Sequence, residues 1–494
     1  MKYDFFSRYD FVLFDQFTQQ EAVAFLTSHA GKAPKDLPHL DEIPDYFARV
    51  ALLAQAVNTP SKEYARAGRR TSPGGLVNLY KKECFKSALR DRRKWLSKLG
   101  IGHTSIDMKA LPKGSWSIHF TFELEKPYLS RDDTDFYIID NPVKKEWVFK
   151  IPYVASSQWK GALRAAMLQE LVFGLQDNGN EEEFLDKRVQ LWRIFGNEKD
   201  GAGAFLNMAL ARHRCGDKPG DEKKRAERFK DEIAKAAEDF STILHQKGLL
   251  KKTESFVGRL YLYPTFFDSI GIEVLNPHAR DKGTGKQPIY FECVPGKTKG
   301  EFRALYLPFG DINPKDSMED LTELVKGIRA MMTVYGFGAK TSSGFGRAAQ
   351  PLSKGKLEVA GLEDTEEKAP ETTAEPQVTS LPRYLSAPGR LLDEFKAADG
   401  SMLNKKEYKQ SLKSRGKKYT KKNQQLYAKA KGWWEREGKA LSEQEDAQTE
   451  ELHERQKEKE VPVPVILCSF LDWDELQAAA KNLPRLLEKE KNEQ

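Results

Sequence analysis

Four stretches of this sequence hold residues whose types and spacing suit chemistry. The first is Asp140-Asn141-Pro142, which closes an apolar run with a turn signal. A lone acid in a turn usually caps or shapes that turn, so a catalytic Asp140 needs support from elsewhere. The second runs from Ser156 to Arg164, SSQWKGALR. Ser156 and Ser157 offer an N-cap for a helix. Lys160 and Arg164 then place two cations in its first two turns, where the helix dipole disfavours them. Free N–H groups flanked by Lys and Arg suit a phosphate. An amphipathic helix with solvated basic residues accounts for the same pattern equally well. The third is the loop Asn276–Lys286, NPHARDKGTGK, with His278 and Arg280 among glycines, which is how binding loops look. The fourth is Tyr335–Arg347, YGFGAKTSSGFGR. Gly336, Gly338, Gly344 and Gly346 alternate with Phe337 and Phe345 beside Lys340, Ser343 and Arg347. Its two Gly-Phe-Gly triplets let backbone approach a ligand closely.

Several chemistries are excluded. The glycine stretch is no phosphate-binding P-loop, because Ala339 stands before Lys340-Thr341 where that motif requires Gly. It is no dinucleotide fingerprint, because Thr341 occupies the third glycine position. There is no H-E-x-x-H and no G-x-S-x-G. The eight histidines form no ligand cluster in the sequence. The four cysteines are scattered with no C-x-x-C, which argues against a zinc ribbon or disulfide framework and fits a reduced, cytoplasmic setting. The first residues, MKYDFFSRYDFVLFDQF, make a poor signal peptide, and no apolar run reaches membrane-spanning length. A net charge of +7 is mild for 494 residues and supports an anionic partner only weakly.

The elements that must position these stretches follow from periodicity. Residues 1–110 read as a helical extension. They include a basic turn, Arg66-Ala67-Gly68-Arg69-Arg70, and a helix ending at Gly100. The basic turn and the cationic face of that helix suit an RNA or a partner. Ser115–Leu124 alternates strictly, with Trp116, Ile118, Phe120, Phe122 and Leu124 on one face, and predicts a strand. Trp147–Val154 predicts a second strand, leading into the helix that carries Trp159, Leu163, Met167 and Leu171 on one side. Residues 176–256 read as an insertion with a helical run, Asp221–Lys247. Strand signals return at Gly258–Tyr263, Ile289–Val294 and Phe302–Phe309, and Glu319–Met332 predicts an amphipathic helix. The expected class is α+β, with a core over 111–352. Residues 353–382, rich in Glu, Thr, Pro and Ala, read as a disordered linker. Residues 383–494 read as a separate helical segment. Its Asn404–Trp434 part mixes lysines with Tyr408, Tyr419, Tyr427, Trp433 and Trp434, suiting phosphates and stacked bases or a plain solvated helix.

The four stretches, taken together, carry a family resemblance. Asp140-Asn141-Pro142-Val143 followed by Ile151-Pro152-Tyr153-Val154-Ala155-Ser156-Ser157-Gln158-Trp159-Lys160-Gly161-Ala162-Leu163-Arg164 resembles the "D-x-P-V … P-x-I-P-G-S-S-x-K-G-x-x-R" block of the RAMP superfamily. These are repeat-associated subunits of CRISPR effector complexes, type III in particular. Gly336–Arg347 resembles that superfamily's C-terminal glycine-rich loop. Asn276-Pro277-His278 and the spelling of the glycine loop look like a type III-B flanking subunit, whereas the Asp140 block looks like the repeating backbone subunits. The resemblance spans roughly 112–350. Ala155 departs from it, standing where the family has Gly.

The resemblance implies a ferredoxin-like, RNA-recognition-type core that assembles along a CRISPR RNA and presents it to target RNA. Base pairing would read sequence while the protein holds backbone and shape. Lys160, Arg164, Lys340 and Arg347 would neutralise guide phosphates, with Ser156 and Ser157 donating hydrogen bonds. The remaining contacts expected from these loops are His278, Arg280, Gly336, Gly338, Ser343, Gly344 and Gly346. In backbone subunits the Asp matching Asp140 supports cleavage of target RNA with Mg²⁺ or Mn²⁺. The implied partners are the CRISPR RNA, target RNA, other RAMP subunits and a large polymerase-like subunit, in antiviral defence. Two other readings stay open. One is a standalone endoribonuclease that processes CRISPR transcripts through His119 or His278. The other is a non-catalytic architectural subunit.

Overall fold

The computed structural model describes residues 18–28, 43–54, 62–66, 68–69, 72–101, 106–132, 137–197, 201–216, 222–249, 256–276, 288–309, 314–361, 385–387, 390–392, 395–396, 402–414, 420–438 and 464–492. The chain divides into two compact units, Met1–Asp364 with Val463–Gln494, and Thr365–Pro462.

In the first unit the described N-terminal residues are mainly helical: α1 (Gln19–Thr27), α2 (Tyr46–Leu53), α3 (Gly75–Lys81) and α4 (Glu83–Lys98). Thr18 and Glu21 cap α1 reciprocally, and Asp45 caps α2 by accepting from Ala48 N at 2.8 Å. Their apolar faces, with Phe25, Leu52, Leu79, Phe85 and Leu89, join the main core.

The central elements are β1 (Trp116–Glu123), β2 (Tyr128–Leu129), β3 (Tyr153–Val154), α5 (Ser156–Asn178), α6 (Glu181–Phe195), α7 (Ala202–Cys215), α8 (Glu222–Gln246), β4 (Leu260–Leu262), β5 (Thr265–Phe266), β6 (Gly271–Leu275), β7 (Ile289–Val294), β8 (Lys299–Tyr306), α9 (Pro314–Ala330) and β9 (Pro351–Ala360). The second unit holds α10 (Lys405–Ser414) and α11 (Lys421–Trp433). The chain then returns to the first unit as β10 (Val465–Asp472) and α12 (Trp473–Asn492).

The main sheet has the order β10-β9-β1-β8-β4, and every pairing is antiparallel. Without β10, the path β1-α5-β4-β8-α9-β9 is a β-α-β-β-α-β unit. That is the expected ferredoxin-like fold. Alternation in β1 is the reason it works. Trp116, Ile118, Phe120 and Phe122 are all buried on one face, while His119 and Thr121 lie on the other with Glu301, Arg303 and Lys356 opposite them in register. Trp159 and Leu163 of α5, and Leu321, Leu324, Val325 and Ile328 of α9, cover the apolar face. A second sheet, β2-β7-β6, and the short pair β3-β5 flank this layer.

Three expectations about chain layout are corrected. Residues 353–360 are strand, continuing β9, rather than the start of a linker; of that linker, 362–382 lie outside the described residues. The segment 383–494 is not one separate helical tail. β10 adds to the edge of the main sheet along β9, from Pro351↔Asp472 to Ala360↔Val465. α12 lies on α9, where Arg329 pairs with Asp474 at 2.7 Å and Thr322 Oγ1 donates to Ala480 O at 3.2 Å. Unpaired strand edges are a hazard, and β10 covers one. Lastly, Trp147–Val154 is mostly a turn. Lys150 has a φ of 53°, Lys150 N donates to Glu146 O at 2.9 Å, and Trp147 is 76 % exposed. Tyr153–Val154 pair with β5, and Pro152 makes an isolated bridge to Lys145.

Within the second unit three of the tail aromatics are core rather than stacking platforms. Tyr408, Tyr427 and Trp433 are buried with Leu391, Phe395 and Leu412, and the Tyr408 and Tyr427 rings stack 5.1 Å apart. Tyr419 lies outside the described residues.

Candidate nucleic-acid interface

The start of α5 lacks a side-chain cap. Its N-cap residue is Ala155, not Ser156 or Ser157 as the sequence suggests, and Ala has no acceptor to offer the first turn. Gln158 compensates in part by accepting from Ala155 N at 3.2 Å. By helix geometry the first-turn N–H groups, including those of Ser156 and Ser157, have no intrahelical acceptor. Lys160 and Arg164 are half-buried, each one position beyond the core residues Trp159 and Leu163.

The glycine loop is laced to the chain leaving β1. Glu125 N donates to Arg347 O at 2.8 Å, Gly346 N to Pro127 O at 2.9 Å, and Ala339 N to Leu129 O at 2.8 Å. The loop closes on itself where Phe337 N donates to Gly346 O at 3.0 Å. Gly338 and Gly346 have φ of 92° and 68°. A Cβ at Gly346 would lie 1.9 Å from Phe337 O, and one at Gly338 would lie 2.3 Å from Leu129 O. These glycines therefore admit close approach of the protein's own backbone, where the sequence suggested approach of a ligand. Lys340 holds a left-handed φ of 60° without being glycine, and it is exposed, as are Ser342 and Ser343. Arg347 is half-buried, with Nε donating to Gly344 O at 3.3 Å.

Aromatic packing joins loop and helix. The Phe337 ring lies 4.4 Å from that of Trp159 and 5.6 Å from that of Tyr128. The Tyr128 hydroxyl donates to Gln158 Oε1 at 3.2 Å. Burial pushes the Tyr128 phenol up to about 12, so it stays a neutral donor at ordinary pH. The helix start, β2 and the glycine loop thus form one packed block.

Asp140 reaches the same block from the other side. β2 pairs with β7, and the Asp140 turn is pinned to β7. Glu292 N donates to Asn141 O at 2.9 Å, and Asn141 Nδ2 donates to Tyr290 O at 3.2 Å. The buried Glu292 carboxylate accepts from Val143 N at 3.2 Å and from the Tyr80 hydroxyl at 2.5 Å, and it pairs with Lys145. Burial, then the Glu292 charge, push the Tyr80 phenol well above its usual range. Asp140 itself is exposed and accepts from Arg66 Nη2 at 2.5 Å. Arg66 is buried and also donates through Nε to Ile138 O at 2.7 Å. The first arginine of the basic turn therefore points inward, where the sequence suggested an outward, RNA- or partner-facing turn. Among the described residues no group of three or more His, Cys, Asp or Glu could hold a metal ion, and the side chain set against Asp140 is a cation.

Of the other expected contacts, His278 and Arg280 lie outside the described residues. His119 Nε2 stands 3.9 Å from Glu301, beyond hydrogen-bond reach, and among the described residues it is buried without a hydrogen-bond partner. Sequence reasoning missed Arg66, Tyr128 and Glu292 as the residues that hold the site. Glu292 left a signal, since it is the one charge inside the apolar run IYFECV. Arg66 left none, since burial does not show in a run of arginines.

A family model described as the RAMP superfamily matches residues 85–349. No curated protein matches the chain. Among solved structures, the chain is similar to one in "Cryo-EM structure of the Type III-B Cmr-beta bound to cognate target RNA". The identity is 14%, over 57% of this chain and 69% of that one, with a TM-score of 0.27. It is also similar to the crystal structure of Cmr6 from Pyrococcus furiosus, at 14% identity over 48% of this chain and 98% of that one, with a TM-score of 0.24. Among the described residues no helix is long and apolar enough to cross a membrane.

Proposed function

The chain belongs to the RAMP superfamily, and from that premise we propose that it is an RNA-binding subunit of a type III CRISPR effector complex. The observation that carries this reading is the packed block of uncapped helix start and glycine loop, joined through Trp159 and Phe337. The type III assignment rests on the paired motifs, Asp140–Val143 with Ile151–Gly161 and Gly336–Arg347, in the family's order. In this reading the guide backbone runs across the start of α5. Ser156 and Ser157 donate to one phosphate, which replaces the missing cap. Lys160, Arg164, Lys340 and Arg347 neutralise that phosphate and its neighbours. Sibling RAMP subunits and a polymerase-like large subunit are the expected neighbours, and complementary target RNA pairs with the guide.

Replacing Lys160, Arg164, Lys340 and Arg347 together by Ala tests this. The slope of log affinity against log salt for single-stranded RNA should fall by about 3, at about 0.7 per lost phosphate contact. An unchanged slope would refute the reading.

Asp140 acts here as a positioning residue. With Arg66 against it and Glu292 holding Asn141 and Val143, it fixes the turn that packs on β7. Catalytic cleavage of target RNA is the second reading, and the family's matching Asp favours it. Asp140→Asn separates the two. The amide keeps an acceptor for Arg66 but lacks the carboxylate charge, so the expected result is an assembled complex whose action on target RNA is unchanged. Loss of cutting by an intact complex would make Asp140 catalytic.

A further inference from the structure

The second unit carries a surface that its own stability does not explain. Lys405, Lys409 and Lys413 of α10 are all exposed and recur every fourth residue. They form a ladder of cations spaced about 6 Å apart along the helix. Like charges at that spacing destabilise a helix by about 0.2–0.5 kcal/mol per pair. Lys405 and Lys406 also sit in the first turn, where the dipole disfavours them. Exposed Lys429, Lys431 and Arg436 add to the same sign. Glu407 accepts from Asn404 N at 2.8 Å in the cap of α10, and Glu435 pairs with Lys431 at 3.5 Å.

Between the start of α10 and the end of α11 lies an open groove of about 600 Å³, whose polar and aromatic lining includes Asn404, Lys405, Gln424, Trp434 and the ion-paired Lys431 and Glu435. Tyr427 and Trp433 are consumed by the core, but Trp434 is only half-buried and borders the groove. An aromatic face between two lysines, continued by a ladder of cations, matches how single strands are held without sequence preference. The phosphodiester chain lies on the cations and a base stacks on the ring.

We propose that this unit is a second, sequence-tolerant binding site for single-stranded RNA, with one base on Trp434 and the backbone along Lys405, Lys409 and Lys413. The site stands on its own residues and does not depend on the RNA interface of the ferredoxin-like core.

The test uses the full-length protein, freed of co-purified RNA, and a 12-nucleotide oligouridylate. Binding is measured as a function of salt, in the parent and in the Lys160/Arg164/Lys340/Arg347-to-Ala background. Trp434→Ala should lower affinity about 5- to 150-fold in the Lys160/Arg164/Lys340/Arg347-to-Ala background, where this site alone is read, with an unchanged salt slope. Trp434→Phe should restore most of the loss, and a parent-like urea unfolding midpoint for Trp434→Ala separates stacking from a packing defect. Lys405→Glu with Lys409→Glu and Lys413→Glu should cut the slope by about 2. Affinity and slope unchanged in both sets would overturn the proposal. So would retention of RNA binding by the lysine variant together with loss of a co-purifying protein, since the surface would then be a protein dock. Failure of the core interface alone would show as a null effect of the four Ala substitutions, with these effects intact.

Discussion

Trp159→Ala should destabilise the first unit by about 3–5 kcal/mol, the range for deleting a buried aromatic. The side chain is fully buried, with its ring 5.2 Å from Phe302, 6.1 Å from Phe122 and 4.4 Å from Phe337. Its indole N–H donates to Thr265 Oγ1 at 3.0 Å, and that hydroxyl donates to Glu301 O at 2.5 Å. Truncation opens a void under the sheet and removes an indole donor. It also takes away the ring against which Phe337 holds the glycine loop. RNA affinity should therefore fall even at temperatures where the variant remains folded. Trp159→Phe, which keeps a ring beside Phe337 but no N–H donor, should recover much of the stability. Urea unfolding of the three proteins, with RNA binding measured well below the transition, checks both parts. A Trp159→Ala variant with near-parent stability would mean that the aromatic cluster is not the core it is described to be.

The second large effect is expected at Gly346. Gly346→Ala faces a φ of 68° and a Cβ position 1.9 Å from Phe337 O, and no rotamer relieves a clash made by Cβ itself. Strain of about 1–2 kcal/mol for a left-handed residue is joined by disruption of two backbone hydrogen bonds, Phe337 N to Gly346 O and Gly346 N to Pro127 O. At about 1 kcal/mol each, the sum is about 3–4 kcal/mol. Gly344 is the internal control. It also has a positive φ, 83°, but its nearest neighbour is the end of the Arg347 side chain at 2.9 Å, which can move. Gly344→Ala should cost only the strain. Thermal melting should rank Gly346→Ala well below Gly344→Ala. Equal melting temperatures would show that the loop does not close on itself as described.

Much of the fold was legible because its signals are periodic. Alternation in Trp116–Leu124 marks a strand with one buried face, and the four-residue spacing of Trp159, Leu163, Met167 and Leu171 marks the helix that covers it. Trp147–Val154 misled because apolar composition does not report backbone sign, and a left-handed Lys150 turns the chain. The strand Val465–Asp472 shows in the sequence only as an apolar segment, Val461–Leu471, that could fold back, and its pairing was hidden for a different reason. Its partner, Pro351–Ala360, is more than a hundred residues away, and pairing at that range leaves no local pattern. The tail aromatics show the limit of composition, since Tyr408, Tyr427 and Trp433 read alike whether they pack a core or stack on bases. At the site, the motif residues of α5 and the glycine loop could be named from the sequence, but not the side chains that join them. Tyr128 and Phe337 matter through contacts with Gln158 and Trp159, and only the folded chain brings these together.

The central claim is that RNA lies on the block formed by the start of α5 and the glycine loop. Ultraviolet crosslinking of the native complex, read by mass spectrometry of RNA-bearing peptides, addresses it directly. Within the first unit, adducts should fall within residues 155–164 and 336–347. Adducts confined to the polar face of the main sheet around His119, Arg303 and Lys356, with both motif segments unmodified, would contradict it.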